Sequence, residues 1–240
     1  MTDRSFIKYP RTYHLEDKLD KKDDSLAGLL SKGEYFVIEE KMDGTQVGIS
    51  FDLKGHLQIQ SRGSFIDSRP EFDLLKQWVW QFSTELIQLL GERYILFGEW
   101  LFAKHTLYYN CLPDYFLEFD IYDRKDNQFL STVARQNLLD NYSFIHSVRV
   151  IETTSSITLS ELTSLIGKSS FITEDAHQSL AESERKHTDH NGSMEGLYIK
   201  VENASSVIAR YKYIRPDFIN FITSQEVHWR DRNLFHNKLK

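Results

Sequence analysis

The run Tyr35-Phe36-Val37-Ile38 is what most narrows the folds open to this chain. It is short and apolar, bounded by Gly33 and by the Glu39-Glu40 pair, and so reads as a buried strand that delivers Lys41 at its far end. The lysine opens a K-x-D-G tetrapeptide, Lys41-Met42-Asp43-Gly44. Residues 47–51 and 56–60 then alternate around Asp52-Leu53-Lys54-Gly55, the pattern of a hairpin. Together these segments place Lys41 beside an antiparallel sheet.

Further elements follow from periodicity. Leu74, Leu75, Trp78, Val79, Phe82, Leu86 and Leu89 recur at helical spacing with Gly91 as the stop, which predicts one core-packing helix. Strands are expected at 94–97, 116–122 and 197–201, where β-branched and aromatic residues dominate. Helices are expected at 133–139 behind a Ser131-Thr132 cap, at 159–166 ending on Gly167, and in a polar stretch from about 173 to 186. There is no internal repeat and no Pro/Gly/Ser linker, so the expectation is one α+β domain over residues 1–222. Residues 223–240 then form a short basic and aromatic tail, with no separate C-terminal domain.

Composition bounds the function. A hydrophobic fraction of 40% with 16 Phe and 12 Tyr gives 240 residues enough apolar area to fold without staples. A single cysteine, Cys111, excludes an intramolecular disulfide, fits a reducing compartment and reads as a buried structural thiol. The start, Met1-Thr2-Asp3-Arg4, is polar and no apolar run is long enough for a signal peptide or a span, so a soluble cytoplasmic protein with no membrane partner is expected. A net charge of −6 argues against indiscriminate coating of nucleic acid. The acidic residues concentrate at 16–24 and 174–184, which look peripheral, while Lys and Arg gather near the motifs and the C-terminus; a local basic groove is therefore open to a polyanion.

The chemistry starts from a difficulty. A lysine able to attack the α-phosphorus of a nucleotide needs a free lone pair, and an exposed one is protonated at neutral pH. Burial, the cations Arg62, Lys200, Arg210 and Lys212, and a divalent metal are expected to lower the pKa of Lys41. The same cations would stabilise charge on the α-phosphate as pyrophosphate leaves. Glu195, in Glu195-Gly196-Leu197-Tyr198-Ile199-Lys200, is the candidate for holding Mg2+ directly or through water. Glu99 is placed to bond a ribose hydroxyl and Phe119 to stack on a purine, with Phe116 assigned to the core. Lys104 and His105 are weaker candidates for a 5′-phosphate. Taken singly, each charge is more often part of a solvated face; convergence on one cleft is the test that separates the readings.

Lys41-x-Asp43-Gly44, Ser61-Arg62-Gly63, Gly98-Glu99, Phe116-x-x-Phe119-Asp120, Glu195-Gly196-x-x-x-Lys200 and Arg210-x-Lys212 stand in an order and spacing that resembles the ATP-dependent RNA ligases, the RNA ligase 2-like branch of the covalent nucleotidyltransferases. The resemblance runs from about Phe6 to Phe218 and includes Tyr9-Pro10-Arg11 and residues 98–106. It implies an antiparallel-sheet nucleotidyltransferase (adenylyltransferase, ATP-grasp-like) domain with flanking helices. The implied activity is sealing of RNA 3′-OH and 5′-phosphate ends through a lysyl-AMP on Lys41, with ATP as co-substrate and Mg2+ or Mn2+, and with a polynucleotide kinase/phosphatase as a possible partner. By the same resemblance Glu40 helps recognise adenine, Arg62 engages the 5′-phosphate end and the nucleotide phosphate, Glu99 the ribose and Phe119 the adenine. Glu195 is the metal-associated acid, Lys200 closes its motif, and Arg210 and Lys212 are the cations at the α-phosphate.

The chain departs from the pattern at Arg210, where many relatives carry lysine, and at Gln46, where asparagine is common. Gln46 keeps the amide one methylene further out, toward the metal or the 2′-hydroxyl end. The tail around Trp229, Arg230 and Arg232 offers an aromatic among cations that can bind a strand. A DNA ligase or a GTP-using capping enzyme of the same superfamily, and a non-catalytic RNA-end-binding module, are the alternative readings.

Overall fold

The computed structural model describes residues 6–19, 24–66 and 72–240; the polar start and residues 20–23 of the first acidic stretch lie outside it. In chain order the elements are β1 (Tyr13–His14), β2 (Tyr35–Lys41), β3 (Thr45–Phe51), β4 (Leu57–Ser61), α1 (Asp73–Gln81), α2 (Ser83–Leu90), β5 (Tyr94–Trp100) and β6 (Phe116–Asp123). They continue with β7 (Gln128–Phe129), α3 (Thr132–Leu139), β8 (His146–Ser147), β9 (Val150–Thr154), α4 (Leu159–Ser164), α5 (Glu182–Arg185), β10 (Gly196–Glu202), β11 (Val207–Ile214) and α6 (Pro216–Ser224). One sheet runs β1-β11-β10-β2-β9 and the other β4-β3-β5-β6-β7, with β8 added to β6. The long neighbours are all antiparallel, as expected, and the short β1 and β8 pair in parallel.

The apolar run does become a strand, and it continues through Glu39 and Glu40 to Lys41 itself. Three predicted features differ in detail. The single helix expected over 74–89 is two, because Phe82 leaves helical geometry (φ −107°, ψ 22°) with its ring stacked on Phe144 at 4.1 Å. The helix expected over 173–186 is reduced to a 3-10 turn, Ala176–Ser179, and the single turn α5; Ala176 and Leu180 are the buried apolar residues of that stretch, too few to hold a continuous face. Cys111 is half-buried rather than buried. The caps behave as their chemistry requires. Ser131 Oγ accepts from Ala134 N, and Thr158 and Glu161 form a capping box at the start of α4. Sequence patterning missed α6, which opens on Pro216 in its first turn and buries Phe218.

Each sheet has one face covered. Val47, Ile49, Leu96, Phe116 and Ile121 pack against α1 and α2 through Leu75, Val79, Leu86 and Leu90. Phe36, Ile38, Leu197, Ile199 and Val201 pack against Leu15, Leu26, Ile157 and Leu162. Strand alternation then sends the intervening residues the other way. In β2, β10 and β11 the opposed sets Lys41–Gly196–Ile214, Glu39–Tyr198–Lys212 and Val37–Lys200–Arg210 share one face.

That face meets β6 through a buried set of charges. Lys200 Nζ lies 3.0 Å from Glu39 and 3.2 Å from Asp120, Arg210 Nε lies 3.0 Å from Asp120, and Arg135 of α3 reaches Glu39 at 2.7 Å and Glu118 at 3.2 Å. Lys200, Arg135, Glu39, Glu118 and Asp120 have fully buried side chains. The β5–β6 register slips between Phe97 and Gly98, leaving Phe119 as a bulge, and both Lys200 Nζ and Arg135 Nη1 donate to the Phe119 carbonyl. Removing one member strands its partners without water. Arg135→Met should therefore cost about 3–5 kcal/mol, read as a lowered urea midpoint at unchanged slope.

Candidate active site

The two sheets diverge around a cleft of about 1120 Å³. Among the residues singled out by sequence, Glu40, Lys41, Gln46, Arg62, Glu99, Phe119 and Lys212 line it, and so do Lys104, His105, Trp229, Arg230 and Arg232. Glu195 sits against Lys41, whereas Lys200 and Arg210 are turned into the charge cluster beneath. The cleft is basic in an acidic chain, with eight Lys and Arg against three Glu among its lining residues. Among the described residues Arg62, Lys212 and Arg230 make no salt bridge.

Lys41 ends β2 and its Nζ lies 2.8 Å from both carboxylate oxygens of Glu195. The next three residues build a turn that holds it there. Asp43 Oδ2 accepts the backbone N–H groups of Thr106 and Leu107 at 2.8 Å each, its own N–H donates to Tyr109 Oη at 2.9 Å, and its other oxygen lies 3.7 Å from His105 Nδ1. Gly44 is required by close approach. A Cβ there would fall 2.6 Å from Leu101 Cδ2, 2.8 Å from the Trp100 oxygen and 2.9 Å from Glu99 Cγ, so the end of β5 is pressed against the turn. At Gly196 the constraint is tighter still, since a Cβ would fall 2.0 Å from the Tyr213 oxygen. The glycines of both motifs thus let neighbouring chain approach Lys41 and Glu195.

The electrostatics correct one expectation. Burial alone lowers the Lys41 pKa, but Glu195, Glu99 and Asp43 together outweigh it and raise the pKa above the ordinary lysine range. Of the four cations expected to depress it, Lys200 and Arg210 are consumed by Glu39 and Asp120. The carboxylates show the reverse strain. Burial pushes Glu99 up to about 8 and Glu195 up to about 7, in each case against the pull of Lys41. Lys212 is lowered by burial and then by the charge of Lys41. The acids beside Lys41 thus favour its ammonium form. An added cation would relieve those acids, so Glu195 fits a divalent ion that would complete its shell largely with water. Among the described residues no three His, Cys, Asp or Glu side chains cluster as a metal site of their own.

The remaining positions divide by orientation. Gln46 and Glu99 are opposed across β3 and β5, and Gln46 Oε1 receives Arg62 Nε at 3.5 Å while its Nε2 is buried without a partner, a donor left for a ligand. Glu40 points to the side of β2 away from Lys41; Ser169 Oγ donates to one of its oxygens at 2.5 Å and the other has no partner. Phe119 presents its ring beside Tyr9 and Tyr198, at centroid distances of 5.6 and 6.2 Å. Sequence reading missed Arg135, a charge on the buried stripe Thr132–Arg135–Leu139 of α3, which was the available signal. It also missed the anchoring work of Asp43, Glu39 and Asp120.

A family model described as RNA ligase matches residues 34–214. No curated protein sequence matches the chain. Among solved structures, a mutant Naegleria gruberi RNA ligase with AMP and Mn superposes with a TM-score of 0.62 at 16% identity, covering 91% of this chain and 59% of that one. A second mutant of the same protein with ATP and Mn gives 0.61 at 17% identity, with 91% and 59% covered. The same ligase with PPi gives 0.61 at 16% identity, with 93% and 60% covered. The likeness establishes the fold, an α+β body with antiparallel sheets and flanking helices, and the chain spans about three-fifths of the length of these structures. Among the described residues no helix is long and apolar enough to cross a membrane.

The acid grip on Lys41 has a measurable sign. In metal-free, nucleotide-free protein, Glu195→Gln should lower the lysine's pKa and so raise the fraction of free amine at a given pH. An acylating reagent, read by peptide mass across pH 7–10, should label Lys41 of the variant at lower pH than wild type; identical profiles would remove the assignment of Glu195 as the proton-holding partner.

Proposed function

This chain belongs to the RNA ligase family, and from that premise we propose that it is an ATP-dependent ligase that joins RNA 3′-OH and 5′-phosphate ends through a lysyl-AMP on Lys41. The single observation that carries the reading is the placement of Lys41 Nζ at a strand end in a basic cleft, gripped by Glu195 and sharing that cleft with Phe119, Arg62 and Lys212. A lysine with only a structural role has no need of unpaired cations around it.

The geometry supports a division of labour. The adenine stacks on Phe119 and the ribose hydroxyls bond to Glu99, whereas the Glu40 side chain, turned away from Lys41 toward Ser169, is not placed to read that base. Arg62, Lys212 and the unpartnered amide of Gln46 meet the phosphates. The proton on Lys41 Nζ passes to solvent water, the free amine attacks the α-phosphorus to form an N–P bond, and the bond to pyrophosphate breaks, with pyrophosphate leaving. Glu195 is both the partner that keeps the empty site's lysine charged and a ligand for Mg2+ or Mn2+. Glu195 would hold such an ion, which would supply charge neutralisation for the phosphates. Lys200 and Arg210 act from below: they hold the bulge that aims Phe119 and the strand that carries Lys212. AMP then passes to a 5′-phosphate, and a 3′-hydroxyl displaces it.

The deciding experiment is intact mass after incubation with ATP and Mg2+ or Mn2+. The expected result is a gain of one adenylate that is absent in Lys41→Ala, followed by sealing of a nicked or splinted RNA. Labelling by GTP alone would move the chain to the capping branch, preferential sealing of DNA nicks to the DNA ligases, and unchanged output from Lys41→Ala to a binding module.

A further inference from the structure

The segment from 225 to 235 is a strap across the cleft. Trp229, Arg230, Arg232, Asn233, Leu234 and Phe235 all line it. The strap is held in shape by its own bonds. Arg232 donates to the Val227 oxygen at 2.7 and 3.0 Å and to the His187 oxygen at 3.3 Å, Gln225 Oε1 lies 2.8 Å from His187 Nδ1, and the His228 ring caps the short turn at Trp229–Asp231. Beyond it, residues 235–240 are laced onto the loop that follows β5: Lys104 N donates to the Phe235 oxygen at 2.8 Å, Lys238 N to the Tyr109 oxygen at 2.8 Å, and the buried Asn237 bridges Tyr109 N and the Leu101 oxygen.

Trp229 lies nearly parallel to His105, with ring centroids 3.4 Å apart at 19°, and His105 touches Asp43 of the lysine's turn. Among the cleft's aromatic residues, two groups have no ring contact in common: Phe119 among Tyr9 and Tyr198, and Trp229 on His105. One nucleotide uses one platform. At about 1120 Å³ the cleft also exceeds the ~300–1000 Å³ that a single small ligand fills. Arg230 is exposed beside Trp229, its guanidinium carbon 5.3 Å from the indole, with no salt bridge among the described residues, and Arg232 adds a second charge held by carbonyl oxygens rather than by an acid.

We propose that this strap is a subsite for the RNA strand bearing the 5′-phosphate, with Trp229 as the stacking platform for a base and Arg230, backed by Arg232, as the contact to the strand's phosphates. An aromatic flanked by cations is the combination that binds single strands without reading sequence. The inference rests on the ligase reading for the identity of the strand, but its test does not pass through adenylylation.

A fluorescent, 5′-phosphorylated single-stranded RNA of about ten nucleotides is titrated with the full chain in the absence of nucleotide, and anisotropy gives Kd. Trp229→Ala should weaken binding about tenfold or more, and Trp229→Phe should restore most of it. Arg230→Glu, at an exposed position that does not carry the fold, should weaken binding by a similar factor, and Arg230→Ala should flatten the dependence of log Kd on log salt by about 0.7. Unchanged RNA affinity in Trp229→Ala or in Arg230→Glu overturns the proposal. So does a Trp229→Ala variant that loses ATP affinity as much as RNA affinity, because the strap would then serve the triphosphate. Wild-type protein that binds RNA through Trp229 yet gains no adenylate would leave the subsite standing and remove the ligase reading.

Discussion

The carbonyl oxygen of Phe119 is the point on which the two sheets and the cleft depend. It belongs to a bulge in β6, and a bulge leaves a backbone acceptor without its ladder partner. Lys200 from β10 and Arg135 from α3 both supply that partner, and in doing so they draw Glu39, Glu118 and Asp120 into the same dry layer. Each charge there is expensive alone and acceptable together. Asp120 is held down to about 2 by Arg210, Lys200 and Arg135 despite its burial, so it stays ionised throughout the physiological range. The cluster fixes which way Phe119 faces, and the cleft follows.

Above this layer the balance of charge is reversed. The floor pairs its acids with cations almost one for one, whereas at the rim Arg62 and Lys212 have no ion pair among the described residues and three carboxylates crowd around Lys41. The pKa values carry that imbalance: the acids raise that of Lys41, and burial raises those of Glu99 and Glu195. A polyphosphate with its counter-ion answers both imbalances at once, because it brings anionic oxygens to the free cations and positive charge to the acids. Binding of such a ligand and the protonation of Lys41 would thereby be coupled.

The parts legible in the sequence are those governed by local periodicity. The strand before Lys41, the hairpin after it and the capped helices α3 and α4 follow from patterns that need no knowledge of the neighbours. The break at Phe82 does not, because Phe144, some sixty residues on, decides it. Convergence of Lys41, Arg62, Glu99, Phe119 and Lys212 was readable from the order of the motifs. The inward turn of Lys200 and Arg210 was not: it follows from Asp120 on the opposite sheet, a fact of tertiary register. The sign of the Lys41 shift failed for the same reason. Counting cations near the lysine in sequence misses that acids from β5 and from the start of β10 arrive closer.

The hydrogen that stands in place of a side chain at Gly196 sets more than a strand contact. With the Tyr213 oxygen 2.0 Å from where a Cβ would be, the spacing of β10 and β11 is governed by main chain meeting main chain. Glu195 and Lys212 sit on the two sides of that contact. Their spacing is thus set by the backbone ladder between those two strands, and the charges on either side of Lys41 keep their gauge as long as that ladder stays closed.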